Sequence, residues 1–256
     1  MIGTTTMVIL ASALLARADP AADKLTTAGM VEFAAAYQAW DGAGFGRAAE
    51  LFRQAAEKTP DSVTNHYWRG AALFHQMLRL RNPPGAKPEP KAADAAMNAA
   101  VTALATAVRL DSGHAESHAL LGTLYGMKIN GSLLRAIRYG PAVQAHQEQA
   151  LKSGPSNPRV RYLLGTGQLL TAKDAAARRE ALNTLQAAEK LYITEAQRPA
   201  KPFEPRWGYS SCLTFAARAC EMLENKVQAL EYYRKALAAQ PANHVAKEGI
   251  TRLTGP

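Results

Sequence analysis

The chain has little from which to build a disulfide framework or a redox centre: it has two cysteines in 256 residues, Cys212 and Cys220, and no CxxC pair. Eight positions apart on one predicted helix, their α-carbons lie roughly 12 Å apart, beyond disulfide reach. Their neighbours (CLTFAARAC) are apolar, so both read as small core residues. Aromatic residues are also scarce, at 7% of the chain, while alanine is abundant. That composition suits closely packed helices and argues against a β-sandwich, so almost no strand is expected. Catalytic signatures are missing as well. There is no Gly-x-Ser-x-Gly elbow and no recognisably spaced carboxylate pair, and Gly165-Thr166-Gly167 lacks the third glycine and the Lys-Ser/Thr of a phosphate loop. No catalytic residue, cofactor or metal site is assigned, and the chain does not read as an enzyme.

Long apolar runs are absent too. Residues 7–16 (MVILASALLA) are apolar but too few to cross a bilayer, and the small-x-small pattern Ala16-Arg17-Ala18 follows them. This reads as a removed signal peptide, 1–18, ahead of a domain spanning 19–256 whose first residue is Asp19. The segment before the run carries no Lys or Arg, which departs from the usual n-region. No cysteine lies near the cut, so a lipoprotein anchor is not expected. The expectation is an exported, periplasmic protein with no transmembrane span in the mature chain.

What the sequence does have is a repeated pattern. Ala229, Tyr233, Ala236 and Pro241 place a small, an aromatic, a small and a proline residue at fixed spacing, and Ala48, Phe52, Ala55 and Pro60 repeat it. Steps of four and three put the first three on one helix face. Alanines there let neighbouring backbones approach while the ring fills the gap, and proline ends the helix because it has no amide donor. Leu121-Gly122 with Tyr125, and Leu164-Gly165, supply matching first-helix signatures.

On these residues the chain resembles the tetratricopeptide (TPR) repeat family, and with its insertions it looks like secreted bacterial TPR proteins of unassigned function. The resemblance implies an all-α, right-handed superhelical solenoid of about five TPR-like hairpins, with a C-terminal capping helix over residues 242–253. Insertions fall between paired helices. The first hairpin runs over 26–60 with its turn at 41–44 (DGAG). The second carries the insertion LRNPPGAKPEPKA, in which prolines forbid helix. The third carries residues 130–139 (NGSLLRAIRY), which put Leu133, Leu134 and Ile137 on one face and suggest a short extra helix before Pro141 opens the second helix. The fourth has a polar insertion at 171–177, and residues 199–205 (PAKPFEP) form an extended connector to the fifth. Val143 and Gln147 depart from the small and aromatic slots in the third hairpin, and Cys220 takes a tyrosine slot in the fifth.

The resemblance further implies a non-catalytic scaffold binding a peptide or protein partner in a concave groove lined by first helices. Tyr67, Trp68, Phe74, His75, Leu120, Met127, Tyr162, Leu163, Phe215 and Arg218 are the expected groove residues, about half of them shared with the hairpin cores. The positions of a carboxylate clamp carry Tyr67, Ala71, Leu120 and Arg159, so a clamp of that type is not expected.

Net charge is +9, and most of it lies in the insertions. Arg79, Arg81, Lys87, Lys91, Lys128, Arg135, Arg138, Lys173, Arg178 and Arg179 stand there against Glu89, Asp174 and Glu180. Loops between paired helices emerge along one edge of a solenoid, which predicts a basic rim. Such a rim is either a solubilising edge or a contact for an anionic partner. An accessory subunit at an anionic envelope surface is therefore the alternative function, and an enzyme confined to the insertions is the third. Nucleic acid is not expected, because aromatic residues are not interleaved with the basic ones. His114 and His118, four apart on a helix, could share a metal ion, but Glu116 falls on another face and the pair reads as a solvated first turn.

Overall fold

Residues 19–255 are described by a computed structural model, and the predicted signal peptide, 1–18, lies outside the described residues. Eleven helices follow one another, with no strand among the described residues. They are α1 (Pro20–Ala39), α2 (Gly42–Lys58), α3 (Val63–Arg81), α4 (Pro90–Leu110), α5 (Ala115–Ile129), α6 (Leu133–Ser153), α7 (Pro158–Thr171), α8 (Ala175–Ala196), α9 (Tyr209–Met222), α10 (Lys226–Ala239) and α11 (His244–Thr254). The first ten pair into five antiparallel hairpins, and α11 packs on α10 as the terminal cap. Successive first helices α3, α5, α7 and α9 touch in series, which makes the stack a solenoid.

Polar side chains set where most helices start. Asp19, Asp41, Ser62, Ser132, Asn157, Asp174, Asn225 and Asn243 each accept a hydrogen bond from an amide of the following first turn. The repeat slots are buried as the spacing predicts: Ala48, Phe52, Ala55, Ala229, Tyr233 and Ala236 are all fully enclosed. Each large slot residue rests on a glycine of a neighbouring helix. A methyl group at Gly70 would lie 2.5 Å from Leu104, at Gly29 2.8 Å from Phe52, at Gly165 2.9 Å from Leu185 and at Gly249 2.4 Å from Tyr233. Burying one such side chain stabilises the stack by about 2 kcal/mol. Cys212 and Cys220 are free and buried on α9, the core role expected of them.

The third hairpin differs. Gln147 stands at its large slot, and Ala150 is the one buried residue of α6. The expected extra helix before Pro141 is not a separate element. Asn130 and Gly131, with φ of 42° and 72°, turn the chain, Ser132 caps, and α6 then runs unbroken through Pro141 on its exposed side. Two smaller corrections follow from capping. Residues 42–44 belong to α2, because Asp41 is its cap and left-handed Trp40 makes the turn. Pro90 opens α4 at the first helical position, where its missing amide is not needed.

Candidate functional site

Of the ten side chains expected in an open groove, seven are buried: Tyr67, Trp68, Phe74, His75, Leu120, Tyr162 and Leu163. Met127 and Phe215 are half-buried, and Arg218 is exposed. The expectation of an open apolar surface is therefore corrected for those seven, and over Tyr67, Trp68 and His75 the cover is the chain's own connector. Residues 197–208, linking α8 to α9, fold over the inner face. The Trp68 indole N–H donates to the Phe203 carbonyl (2.9 Å), the Trp207 indole N–H donates to the Tyr67 hydroxyl (2.9 Å), and the Gly208 amide donates to the Tyr37 hydroxyl (3.1 Å). The Trp207 ring meets His75 edge-on at 4.9 Å. Filling the inner face with these rings also joins the first hairpin to the fifth: Tyr37 Oη lies 3.3 Å from Ser211 Oγ, and the Gln240 side-chain amide donates to the Tyr37 carbonyl.

Beneath the connector lies an ion cluster. Arg159, at the start of α7, is 2% exposed and sends Nε to Glu116 Oε1 at 2.7 Å and its two terminal nitrogens to Glu195 at 2.5 and 3.0 Å. Asn157 donates to Glu116 (2.8 Å), and the Tyr67 hydroxyl donates to the same carboxylate. Burial opposes the guanidinium charge, but the Glu116 charge and the Glu195 hydrogen bonds outweigh it and raise the Arg159 pKa. Arg159 is thus held by carboxylates of its own chain.

What stays open is a cleft of about 570 Å³ where the two ends of the solenoid meet. Trp40 and the link after α3 (Asn82, Pro83, Pro84, Gly85) form one wall, Tyr162, Ser211, Thr214, Phe215 and Arg218 line the centre, and Tyr233, Gln240, His244, Glu248 and Arg252 form the other wall. Local geometry fixes several of these groups. Trp40 sits in the left-handed region at φ 54°, and its ring lies 6.4 Å from that of His244. Arg252 pairs with Glu221 at 2.8 Å, and Tyr233 donates to the same carboxylate. The Arg218 guanidinium lies 5.7 Å from the Phe215 ring centre and pairs with no carboxylate among the described residues. Three groove residues named from the sequence, Tyr162, Phe215 and Arg218, reach this cleft. Trp40, the two prolines and His244 were missed, because nothing local in the sequence brings residues 40, 83 and 244 together.

All ten rim cations lie at or beside links between paired helices. Lys87, Lys91, Arg135, Arg138, Lys173 and Arg179 are exposed. The other four are half-buried and tied down: Arg79 donates to the Trp40 carbonyl (3.1 Å), Arg81 pairs with Asp94 (3.2 Å), Lys128 donates to Asn98 (3.0 Å) and Arg178 donates to the Met222 carbonyl (3.1 Å). The last bond links the turn of the fourth hairpin to that of the fifth.

His114 and His118 are not brought together. His114 caps α5 by accepting from the Ser117 amide at 3.2 Å. His118 donates from Nε2 to the Ser112 carbonyl (3.1 Å), and its Nδ1 lies 2.9 Å from His146 Nδ1 on α6. Burial lowers the pKa of both paired rings, which favours the shared single proton. Glu116 points instead into the ion cluster. No three His, Cys, Asp or Glu side chains assemble in metal-binding geometry among the described residues.

No protein-family model and no curated protein matches the chain. Solved structures do. A thermophilic TPR protein of Thermus thermophilus is 16% identical and superposes with a TM-score of 0.64 over 91% of this chain and 99% of its own. Yeast Tom70 is 16% identical with a TM-score of 0.38, over 94% of this chain and 58% of its own. The first likeness, with the five hairpins, the glycine-backed slot residues and the capping α11, establishes the fold as an all-α solenoid of the tetratricopeptide type.

Proposed function

We propose that the chain is a non-catalytic scaffold that binds a peptide or protein segment, and that the segment lies in the cleft between the first and last hairpins. The observation that carries this reading is the connector folded over the inner face, which leaves the cleft as the concave surface with rings, prolines and an unpaired guanidinium on offer. Proline and aromatic walls suit an extended segment, and Arg218 favours an acidic side chain or carboxylate on it. Glu116, Arg159 and Glu195 satisfy one another, so the most buried charges give no support to an enzymatic reading.

Export belongs to the same proposal. It is supported by the apolar run at 7–16 and the small-x-small site at 16–18. Cleavage there would leave intact Asp19, the cap of α1, and every helix among the described residues. A second reading, an accessory subunit held at an anionic envelope surface, draws support from the six exposed rim cations.

Selection from a displayed library of acidic and proline-containing peptides tests the cleft. Selected peptides should lose about 1 kcal/mol or more of affinity on Phe215→Ala and on Arg218→Ala. Peptides that bind both variants as tightly as the parent would place the interaction elsewhere. Amino-terminal sequencing of protein recovered outside the cytoplasm should begin at Asp19, and recovery of an intact chain from the cytoplasm alone would remove export.

A further inference from the structure

Large apolar side chains that stay exposed are unremarked when scattered but informative when clustered. Leu133, Leu134 and Ile137, on the first two turns of α6, are 76%, 79% and 68% exposed. Helical spacing stacks Leu133 with Ile137 and, in the adjacent row, Leu134 with Arg138, so the three form one apolar stripe bordered by a guanidinium. Ala150, near the other end of α6, is the one buried residue of that helix.

Along the chain, the charge flanking the stripe has one sign. Between Glu116 and Glu148 the sequence contains Lys128, Arg135 and Arg138 and no acidic residue. Arg138 and Lys128 lie 5.3 and 5.9 Å from the centre of the Tyr139 ring, which stacks on Tyr125 at 5.9 Å, so the base of the projection is braced.

We propose that the projecting start of α6 docks on an anionic lipid bilayer, with Leu133, Leu134 and Ile137 entering the boundary between headgroups and acyl chains and Lys128, Arg135 and Arg138 meeting the anionic headgroups. An apolar stripe edged by cations is the composition that lies in a membrane interface and does not cross it. No helix among the described residues is long and apolar enough to cross. A second copy of the chain is the poorer occupant, because a symmetric contact through this stripe would bring two sets of the same cations together. The proposal is independent of the cleft, which none of these residues lines.

Co-sedimentation of the full chain with phosphatidylglycerol vesicles tests it. Binding should be at least tenfold stronger than to phosphatidylcholine vesicles. It should fall at least tenfold in the triple variant Leu133→Gln, Leu134→Gln, Ile137→Gln, and Arg135→Gln with Arg138→Gln should weaken it and flatten its salt dependence. A bimane probe on Ile137→Cys should shift to the blue on the anionic vesicles, a local readout that other apolar segments of the chain do not supply. The proposal is overturned if the unmodified chain ignores anionic vesicles, if the triple variant binds like the parent, or if the bimane stays in water while the protein is bound. Self-association that the triple variant abolishes, without vesicle binding by the parent, would assign the stripe to a second copy and overturn it too.

Discussion

The indole N–H of Trp207 donates to the hydroxyl of Tyr67 across 2.9 Å, joining residues 140 positions apart. The same hydroxyl donates to Glu116, so the connector is keyed into the ion cluster below it. Tyr67→Phe keeps the ring and removes that hydroxyl, leaving the buried Trp207 N–H without a partner. A stranded buried donor costs about 1–3 kcal/mol, and urea unfolding should show a loss of that size. Trp207→Ala should cost more, about 3–5 kcal/mol, because it also leaves a cavity against His75. An unchanged urea midpoint in both variants would mean that the connector does not hold the inner face.

Arg159 bridges Glu116 on α5 and Glu195 on α8. Arg159→Met fills a similar space but leaves two buried carboxylates facing each other without a cation, and removing one partner of a buried pair typically costs about 3–5 kcal/mol. Arg159→Lys should recover only part of the loss, since an ammonium cannot fork to both carboxylates. Thermal unfolding of the three proteins checks the order, and a methionine variant as stable as the parent would sink the assignment.

His75 is enclosed by Phe33, Tyr37, Phe45, Phe74 and Trp207, and its Nδ1–H donates to the Ala71 carbonyl at 2.8 Å. Burial pushes its pKa down from 6.5 to about 4. The folded ring therefore stays neutral while the unfolded chain takes up a proton below about pH 6.5. Its contribution to stability is complete above that pH and is lost as pH falls toward 4, by about 3 kcal/mol in total. The difference in unfolding free energy between the parent and His75→Phe should change by that amount between pH 7 and pH 4, and a pH-independent difference would refute the burial.

The repeat slots were legible in the sequence because each depends on residues three and four apart on one helix: Phe52 and Tyr233 are buried where their spacing puts them. Closure of the inner face was not legible. It rests on Tyr37 meeting Gly208 and Gln240, at separations of 171 and 203 residues, through polar groups that leave no periodic trace. The groove residues were read by the rule that first helices line the concave side. That rule holds for an open solenoid, and here Trp207 and Phe203 cover Tyr67, Trp68 and His75. His146 shows a nearer miss: it follows from pairing α5 with α6, yet the spacing of His114 and His118 drew the metal question to two rings of one helix. Gln147 was visible as a departure from the slot pattern, but that Ala150 is the one buried residue of α6 needed the packing itself.

Pro141 lies inside α6, on the exposed side of the helix, with Ile137 one turn before it. A proline there supplies no amide to the carbonyl four residues back and crowds that turn, which costs a helix interior about 3 kcal/mol relative to alanine. Part of this is offset because proline also restricts the unfolded chain, by about 1 kcal/mol or less. Pro141→Ala should therefore stabilise the protein by about 2 kcal/mol, since nothing buried depends on the ring. The gain should be accompanied by slower hydrogen exchange at the amides of residues 142–145, the turn whose ladder the alanine completes. A loss of stability, or unchanged exchange in that turn, would show that the helix does not run continuously through position 141 and that its first two turns are held apart from the rest of α6.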